Sequence, residues 1–229
     1  IYTNTMESGQ LALNDSGSES PLYYASDITR TFPVSGSFSD IQKQIYNLVY
    51  DMQKVALDLC KPGISYREAH LASAKTAVKG LTEMGIMSGN PDDAVEEGAH
   101  ALFFPHGLGH MLGLDVHDME GLGEDLVGYH DEANRSDQFG LAYLRLSKEL
   151  VAGFALTVEP GIYFIPHLMN KWKSENKHSN FINYNALEDF ENFGGIRIED
   201  NILITEEGYR MLGPHIPKTV DDIESLMQS

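Results

Sequence analysis

The chain has 229 residues, 34 of them acidic and 16 basic, for a formal net charge of −18. Nucleic acid and anionic membrane are therefore not expected partners, because a phosphate-binding surface needs an excess of Lys and Arg. One cysteine, Cys60, excludes an internal disulfide and suits a reducing, cytoplasmic compartment; no apolar run approaches the ~20 residues of a membrane span, and no charged-then-apolar leader is visible.

A chain of this length fits one compact domain, or two fused halves, that buries a core without disulfide staples. Residues 10–14 alternate loosely and run into Asp15-Ser16-Gly17, which predicts a strand ending in a turn. Residues 23–34, rich in Tyr, Ile, Thr and Phe and closed by Pro33 and Gly36, predict a second strand and, with the first, a hairpin. Ser39 with Gln42 three residues on is a capping-box pattern. The stripe of Ile41, Ile45, Leu48, Val49, Met52, Val55, Ala56 and Leu59 predicts a helix that Pro62 and Gly63 end. Cys60, after Val55, Leu57 and Leu59, reads as a buried thiol. Ser65 with Glu68 repeats the capping box and opens a second helix to about Met84, with Gly85 as its stop, and residues 91–99 predict a third, short one.

From Phe103 the texture changes, and His, Gly and Asp are dense up to His117. Residues 121–139 read as a polar loop, and residues 155–158 as a short buried strand ending at Glu159-Pro160-Gly161. Residues 167–192 read as a polar inserted excursion carrying a short helix, and residues 195–205, with Ile196, Ile198, Ile202 and Ile204 alternating, as one strand.

Five metal-type side chains, Asp15, Asp27, His110, Glu159 and Glu199, lie in or at the ends of strand-like segments. Four carboxylates and one imidazole carry too much negative charge to cluster without a cation. Carboxylates suit hard divalent ions, the imidazole admits Mn, Co, Zn or Fe, and two metals need about this many ligands. Taken singly, Asp15 also fits an Asx-turn and Glu199 a solvated acid. His106 and His110 have the histidine spacing of a zincin helix, but Gly107 stands where its glutamate belongs and two glycines make the helix poor. No Gly-x-Ser-x-Gly elbow is present, and no histidine lies near Cys60 in sequence, so a Ser or Cys nucleophile is not expected.

The segment from Tyr24 to Pro33, Tyr-Ala-Ser-Asp-Ile-Thr-Arg-Thr-Phe-Pro, resembles the second-aspartate motif of the pita-bread metallopeptidases. His106-Gly-Leu-Gly-His110 through His117-Asp118 is similar to their histidine motif. Thr157-Val158-Glu159-Pro160-Gly161 and Gly194-Gly195-Ile196-Arg197-Ile198-Glu199 resemble their two glutamate motifs. The order agrees along nearly the whole chain, and the pattern looks like aminopeptidase P and prolidase rather than methionine aminopeptidase. The interval from Asp15 to Asp27 is one residue longer than the commonest family spacing, which a bulge near Pro21 would absorb.

The resemblance implies an α+β pita-bread fold with a curved antiparallel sheet and flanking helices, and two divalent metal ions, Mn first, with Co or Zn as alternatives. Asp27 and Glu199 would bridge the metals, Asp15 would hold one, and His110 with Glu159 the other. Glu159 would also shuttle a proton, His106 and His117 would line the substrate pocket as hydrogen-bond donors, and Arg197 would orient acidic groups. The activity implied is removal of the first residue from peptides with proline in second position. Prolidase, creatinase and a metal-free protein-binding relative are the alternatives, and a basic residue deep in the pocket would favour prolidase. The resemblance further implies that residues 1–229 are a catalytic domain lacking the family's N-terminal domain, and that the full-length protein is a homodimer. Ile1-Tyr2-Thr3-Asn4 resembles the stretch after an upstream pocket histidine, so this piece is expected to bind metal but to hydrolyse peptides poorly.

Overall fold

The computed structural model describes residues 4–130 and 135–228. The stretch likened above to the sequence after an upstream histidine falls, up to Thr3, outside the described residues. The elements in chain order are β1 (Leu11–Ser16), β2 (Ile28–Pro33), α1 (Asp40–Leu59), α2 (Tyr66–Glu83), α3 (Pro91–Glu96), α4 (Glu124–Gly128), β3 (Ala155–Val158), β4 (Gly161–Phe164), α5 (Pro166–Ser174), β5 (Gly194–Arg197), β6 (Asp200–Ile204), β7 (Tyr209–Met211) and α6 (Val220–Met227). The architecture is α+β: helices pack beside three small antiparallel sheets, β1-β2, β3-β6-β7 and β4-β5, none of which closes into a barrel among the described residues.

Local chemistry fixes the two long helices. Ser39 Oγ accepts from Gln42 N at 3.3 Å while Gln42 Oε1 accepts from Ser39 N at 2.9 Å, and Ser65 with Glu68 forms the same box at the start of α2. Ile45, Val49, Met52 and Ala56 of α1 are fully buried, as are Ala69, Ala74, Val78 and Leu81 of α2. The helices approach closely because Gly80 lacks a Cβ, which would lie 2.4 Å from Leu48 Cδ1. Gly85, at φ +73°, stops α2 as expected. Cys60 caps α1 and is buried, which pushes its thiol up to about 12 and leaves it inert.

A buried polar network ties α1 to the strands that carry the acids. Gln53 Nε2 donates to Val158 O and Asp200 Oδ2, both at 3.1 Å, and Gln53 Oε1 accepts from Lys218 Nζ at 2.9 Å. Asp200 pairs with Arg30 and Lys218, both at 2.6 Å. Burial opposes ionisation of Asp200, but these two cations outweigh it and hold the carboxyl below its ordinary range.

The strands depart from expectation where tertiary contacts decide. β1 runs through Asp15 to Ser16, because Asp15 pairs with Thr29 across the ladder and does not sit in a turn. β2 begins only at Ile28; before it the chain turns at Pro21–Tyr23, with Tyr23 left-handed at φ 67°, and Ala25 N leaves for Gly113 O at 2.8 Å. The segment expected as one strand over residues 195–205 is two. Ile198 N turns to Pro160 O and Glu199 N to Thr29 O, so β5 joins β4 while β6 joins β3. β4 itself was not expected.

Residues 121–139 are not simply a loop: they hold the end of a 3-10 turn, Glu120–Leu122, and α4, stitched by Arg135 and Arg145 to nearby acids. Residues 167–192 are no polar excursion. They carry α5 and a 3-10 turn, Ala186–Phe190, and insert Trp172, Phe181, Ile182 and Leu187 into the core.

Candidate metal centre

Four separate stretches of chain deliver acids and an imidazole to one place. Asp27 precedes β2, and its backbone is clamped by Asn201, whose Oδ1 accepts from Asp27 N at 3.0 Å and whose Nδ2 donates to Asp27 O. Glu199 occupies the break between β5 and β6, where its Oε2 accepts from Thr29 Oγ1 at 2.5 Å. Glu159 follows β3, and its Oε1 accepts from Thr157 Oγ1 at 3.2 Å.

His110 lies on an extended segment laid along β3, not on a helix. Thr157 N donates to His110 O at 3.0 Å and Glu159 N to Leu108 O at 2.8 Å. Gly109 allows that approach, since a Cβ there would stand 2.2 Å from Thr157 O. His110 Nδ1–H donates to Met111 O at 3.0 Å, so Nε2 is the nitrogen that faces the acids, a proton donor to them while the ring is charged and a lone pair for a metal once it is neutral. That Nε2 is 3.4 Å from both Asp27 Oδ2 and Glu159 Oε1.

One ligand atom each from Asp27, His110 and Glu199 falls within a 4.8 Å cluster. Glu159 lies beside it through His110, whereas Asp15, half exposed on β1, is outside the trio with its Oδ2 taken by Arg197 Nη2 at 2.5 Å. The residues fit a divalent cation on two grounds. Hard oxygens with one imidazole suit such ions. Glu199 Oε1, buried, has no hydrogen-bond partner, an expensive state unless a cation or water faces it.

The electrostatics agree. Burial, reinforced by the neighbouring Glu159 and Asp27 charges, pushes Glu199 up to about 8. Burial pushes Glu159 up to about 7 against the pull of His110 and Arg197. Asp27 is held below its ordinary range because its bonds to His110 and Asp15 outweigh burial, and His110 is raised because Asp27 and Glu159 outweigh burial. Asp15 is raised by burial, with the Asp27 charge adding and Arg197 opposing.

A cavity of about 530 Å³ opens over this cluster, lined by His106, His110, His117, Glu159 and Arg197 among others. Arg197 binds the acids together: Nη1 donates to Tyr163 OH at 3.0 Å, Nε to Thr29 Oγ1 at 3.1 Å, and Nε is 4.0 Å from Glu159 and Glu199. His106 Nδ1–H donates to Gly107 O at 2.7 Å, so Nε2 accepts from Tyr163 OH at 2.9 Å. Burial pushes His106 down to about 4, and the ring stays neutral with no spare donor. His117 stacks edge-on to His110 with ring centroids 4.3 Å apart, and its Nδ1 lies 3.7 Å from Glu120 Oε2.

Every residue expected in the site is therefore near it. Arg135 and Arg145, two basic residues on the cavity wall, are not expected from the sequence, nor are Tyr143 and Glu124 beside them. No local signal marks them, because they belong to the stretch read as a polar loop and to the residues just beyond it.

A family model described as metallopeptidase family M24 matches residues 2–206. The chain belongs to metallopeptidase family M24. It is 40% identical over 225 residues to Xaa-Pro dipeptidase of Rattus norvegicus, covering 97% of this chain and 44% of the rat protein. It is 41% identical over 225 residues to a probable Xaa-Pro aminopeptidase of Phaeosphaeria nodorum, covering 98% of this chain and 46% of that one. The solved structure of Pseudomonas aeruginosa aminopeptidase PepP matches with a TM-score of 0.75 at 35% identity, covering 98% of this chain and 43% of that chain. Zn-substituted Escherichia coli aminopeptidase P in complex with product matches with a TM-score of 0.73 at 37% identity, covering 97% and 42%. This M24 chain thus spans less than half the length of these relatives. No described helix is long and apolar enough to cross a membrane.

Proposed function

We propose that this chain carries the dinuclear metal centre of a peptidase that removes the first residue from peptides beginning Xaa-Pro, in the pita-bread arrangement of its family. The observation that carries the reading is the convergence of Asp27, His110 and Glu199 within 4.8 Å, with Glu159 and Asp15 beside them. Asp27 and Glu199 would be shared between the two ions, Asp15 would help to hold one, and His110 with Glu159 the other. Manganese is the expected ion. When bound, two such cations acidify a water and polarise the scissile carbonyl.

The chain's own groups do the rest. Glu159, pushed up to about 7, takes a proton and passes it toward the leaving proline nitrogen. Arg197 holds Asp15 and the Tyr163 hydroxyl, and His106, with both ring nitrogens engaged, fixes Tyr163 from the other side. His117, beside His110 on the cavity wall, is the donor left to meet the substrate. A proline nitrogen has no N–H to offer, so a site that reads the carbonyl and the free amine is not handicapped by it.

The test is cleavage after loading with Mn. Slow but detectable release of the first residue from Ala-Pro-Ala, and none from Ala-Ala-Ala, is expected of this piece, and no detectable release with Mn, Co or Zn sinks the reading. Prolidase is the second reading, favoured by Arg135 and Arg145 on the cavity wall, where a dipeptide's carboxylate has a basic side chain to meet.

A further inference from the structure

Two threonines, Thr29 on β2 and Thr157 on β3, are fully buried beside the acids. A hydroxyl has one proton to give and lone pairs with which to accept. At Thr29 the accepting side is taken by Arg197 Nε–H at 3.1 Å, a group that can only donate, so the hydroxyl proton goes to Glu199 Oε2 at 2.5 Å. At Thr157 the accepting side is taken by the His110 backbone N–H at 3.0 Å, so the proton goes to Glu159 Oε1 at 3.2 Å. In both places an N–H behind the oxygen decides where the O–H points.

The backbone holds both hydroxyls in place. Glu199 N donates to Thr29 O at 3.1 Å, and Thr157 N to His110 O at 3.0 Å. A β-branched side chain on such a strand has little freedom at χ1. Each hydroxyl therefore joins two groups of the centre. Thr157 joins the His110 segment to Glu159, and Thr29 joins Glu199 to Arg197, whose guanidinium holds Asp15. With Glu199 Oε2 held by Thr29, Oε1 is the oxygen without a hydrogen-bond partner. Thr31, equally buried on β2, spends its hydroxyl on the Arg197 backbone instead, donating to Arg197 O at 3.0 Å and accepting from Arg197 N at 3.1 Å.

We propose that Thr29 and Thr157 are the positioning residues of the metal centre: each, aimed by the N–H behind it, holds one oxygen of a glutamate so that the carboxylate presents a set face to the ion. This rests on the metal reading above and adds to it two residues that are not ligands. Thr31 is the internal comparison, since it shares the residue type, the strand and the burial but bonds no acid through its hydroxyl.

The experiment titrates the metal-free protein with Co, whose visible absorption reads affinity and ligand field without any turnover. Thr29→Val and Thr157→Val are each expected to weaken Co binding about 10–100-fold and to change the spectrum. Thr29→Ser and Thr157→Ser keep the hydroxyl and are expected to restore most of the affinity. Thr31→Val is expected to lower the melting temperature but to keep the wild-type affinity and spectrum. Wild-type Co binding in either Thr29→Val or Thr157→Val overturns the proposal. So does a loss in the serine variants or in Thr31→Val as large as that in the valine variants, because the effect is then one of packing. Should a valine variant not fold, the hydroxyl protons of the wild-type protein decide by NMR. Those of Thr29 and Thr157 are expected to shift on Zn loading while that of Thr31 stays, and fast exchange with solvent or an unmoved resonance at Thr29 or Thr157 overturns the proposal. A wild-type protein that binds no Co would instead overturn the metal reading itself.

Discussion

Glu199 is the side chain with most to gain from a cation. Its Oε1 is buried without a partner, and it titrates at about 8, with Glu159 at about 7. Both values lie above that of an unfolded glutamate, so around neutrality the metal-free folded protein holds protons that the unfolded chain has lost. Its stability is therefore greatest below these values and falls as pH rises through about 7 and about 8. The chelator-treated protein is expected to melt progressively lower from pH 6.5 to 8.5, while added Mn raises the melting temperature more at the higher pH, because the ligands must be deprotonated. A metal-free melting temperature that climbs across this window contradicts the assignment. With the roles proposed for Glu159, Glu159→Gln removes the proton acceptor and a ligand together. Turnover should fall by about 10²-fold or more. The melting temperature of the metal-free form should change little, since a crowded buried acid is lost. Near-normal cleavage by this variant would show the proton role to be misassigned.

At the scale of elements, His110 is placed by an extended segment that only glycine lets seat on β3. Gly109→Ala drives a Cβ toward Thr157 O, a backbone atom that cannot swing away. A loss of about 1–3 kcal/mol in urea unfolding is expected, together with weaker metal binding; an unchanged midpoint would mean that the segment has slack. The two long helices, α1 and α2, were legible in the sequence because their signals are local: Ser39 with Gln42 and Ser65 with Glu68 need nothing from the rest of the chain. The break between β5 and β6 was not. The alternation of Ile196, Ile198, Ile202 and Ile204 runs through it, and only acceptors from distant stretches, Pro160 O and Thr29 O, divert the backbone there. α4 was hidden for the same reason, since its ion pairs reach to Arg135 and Arg145.

For the molecule as a whole, Asp200 is the joint that sets the acid-bearing strands against α1. It answers two cations, Arg30 and Lys218, and the Gln53 amide. Asp200→Ala strands both cations in partly buried positions and is expected to cost about 3–5 kcal/mol in denaturant unfolding; a cost below about 1 kcal/mol would show that the joint is not needed. Asp27, His110, Glu159 and Glu199 could be picked out as candidate ligands because each sits in a contiguous motif, whereas the cavity wall draws on Arg135, Arg145 and Tyr143, which carry no motif of their own. The central claim is that the convergent acids and His110 hold two metals, and metal stoichiometry tests it most directly. After saturation with Mn and removal of excess, elemental analysis is expected to find two ions per chain, with fewer in Asp27→Ala. No bound metal under saturating Mn, Co and Zn would contradict the account.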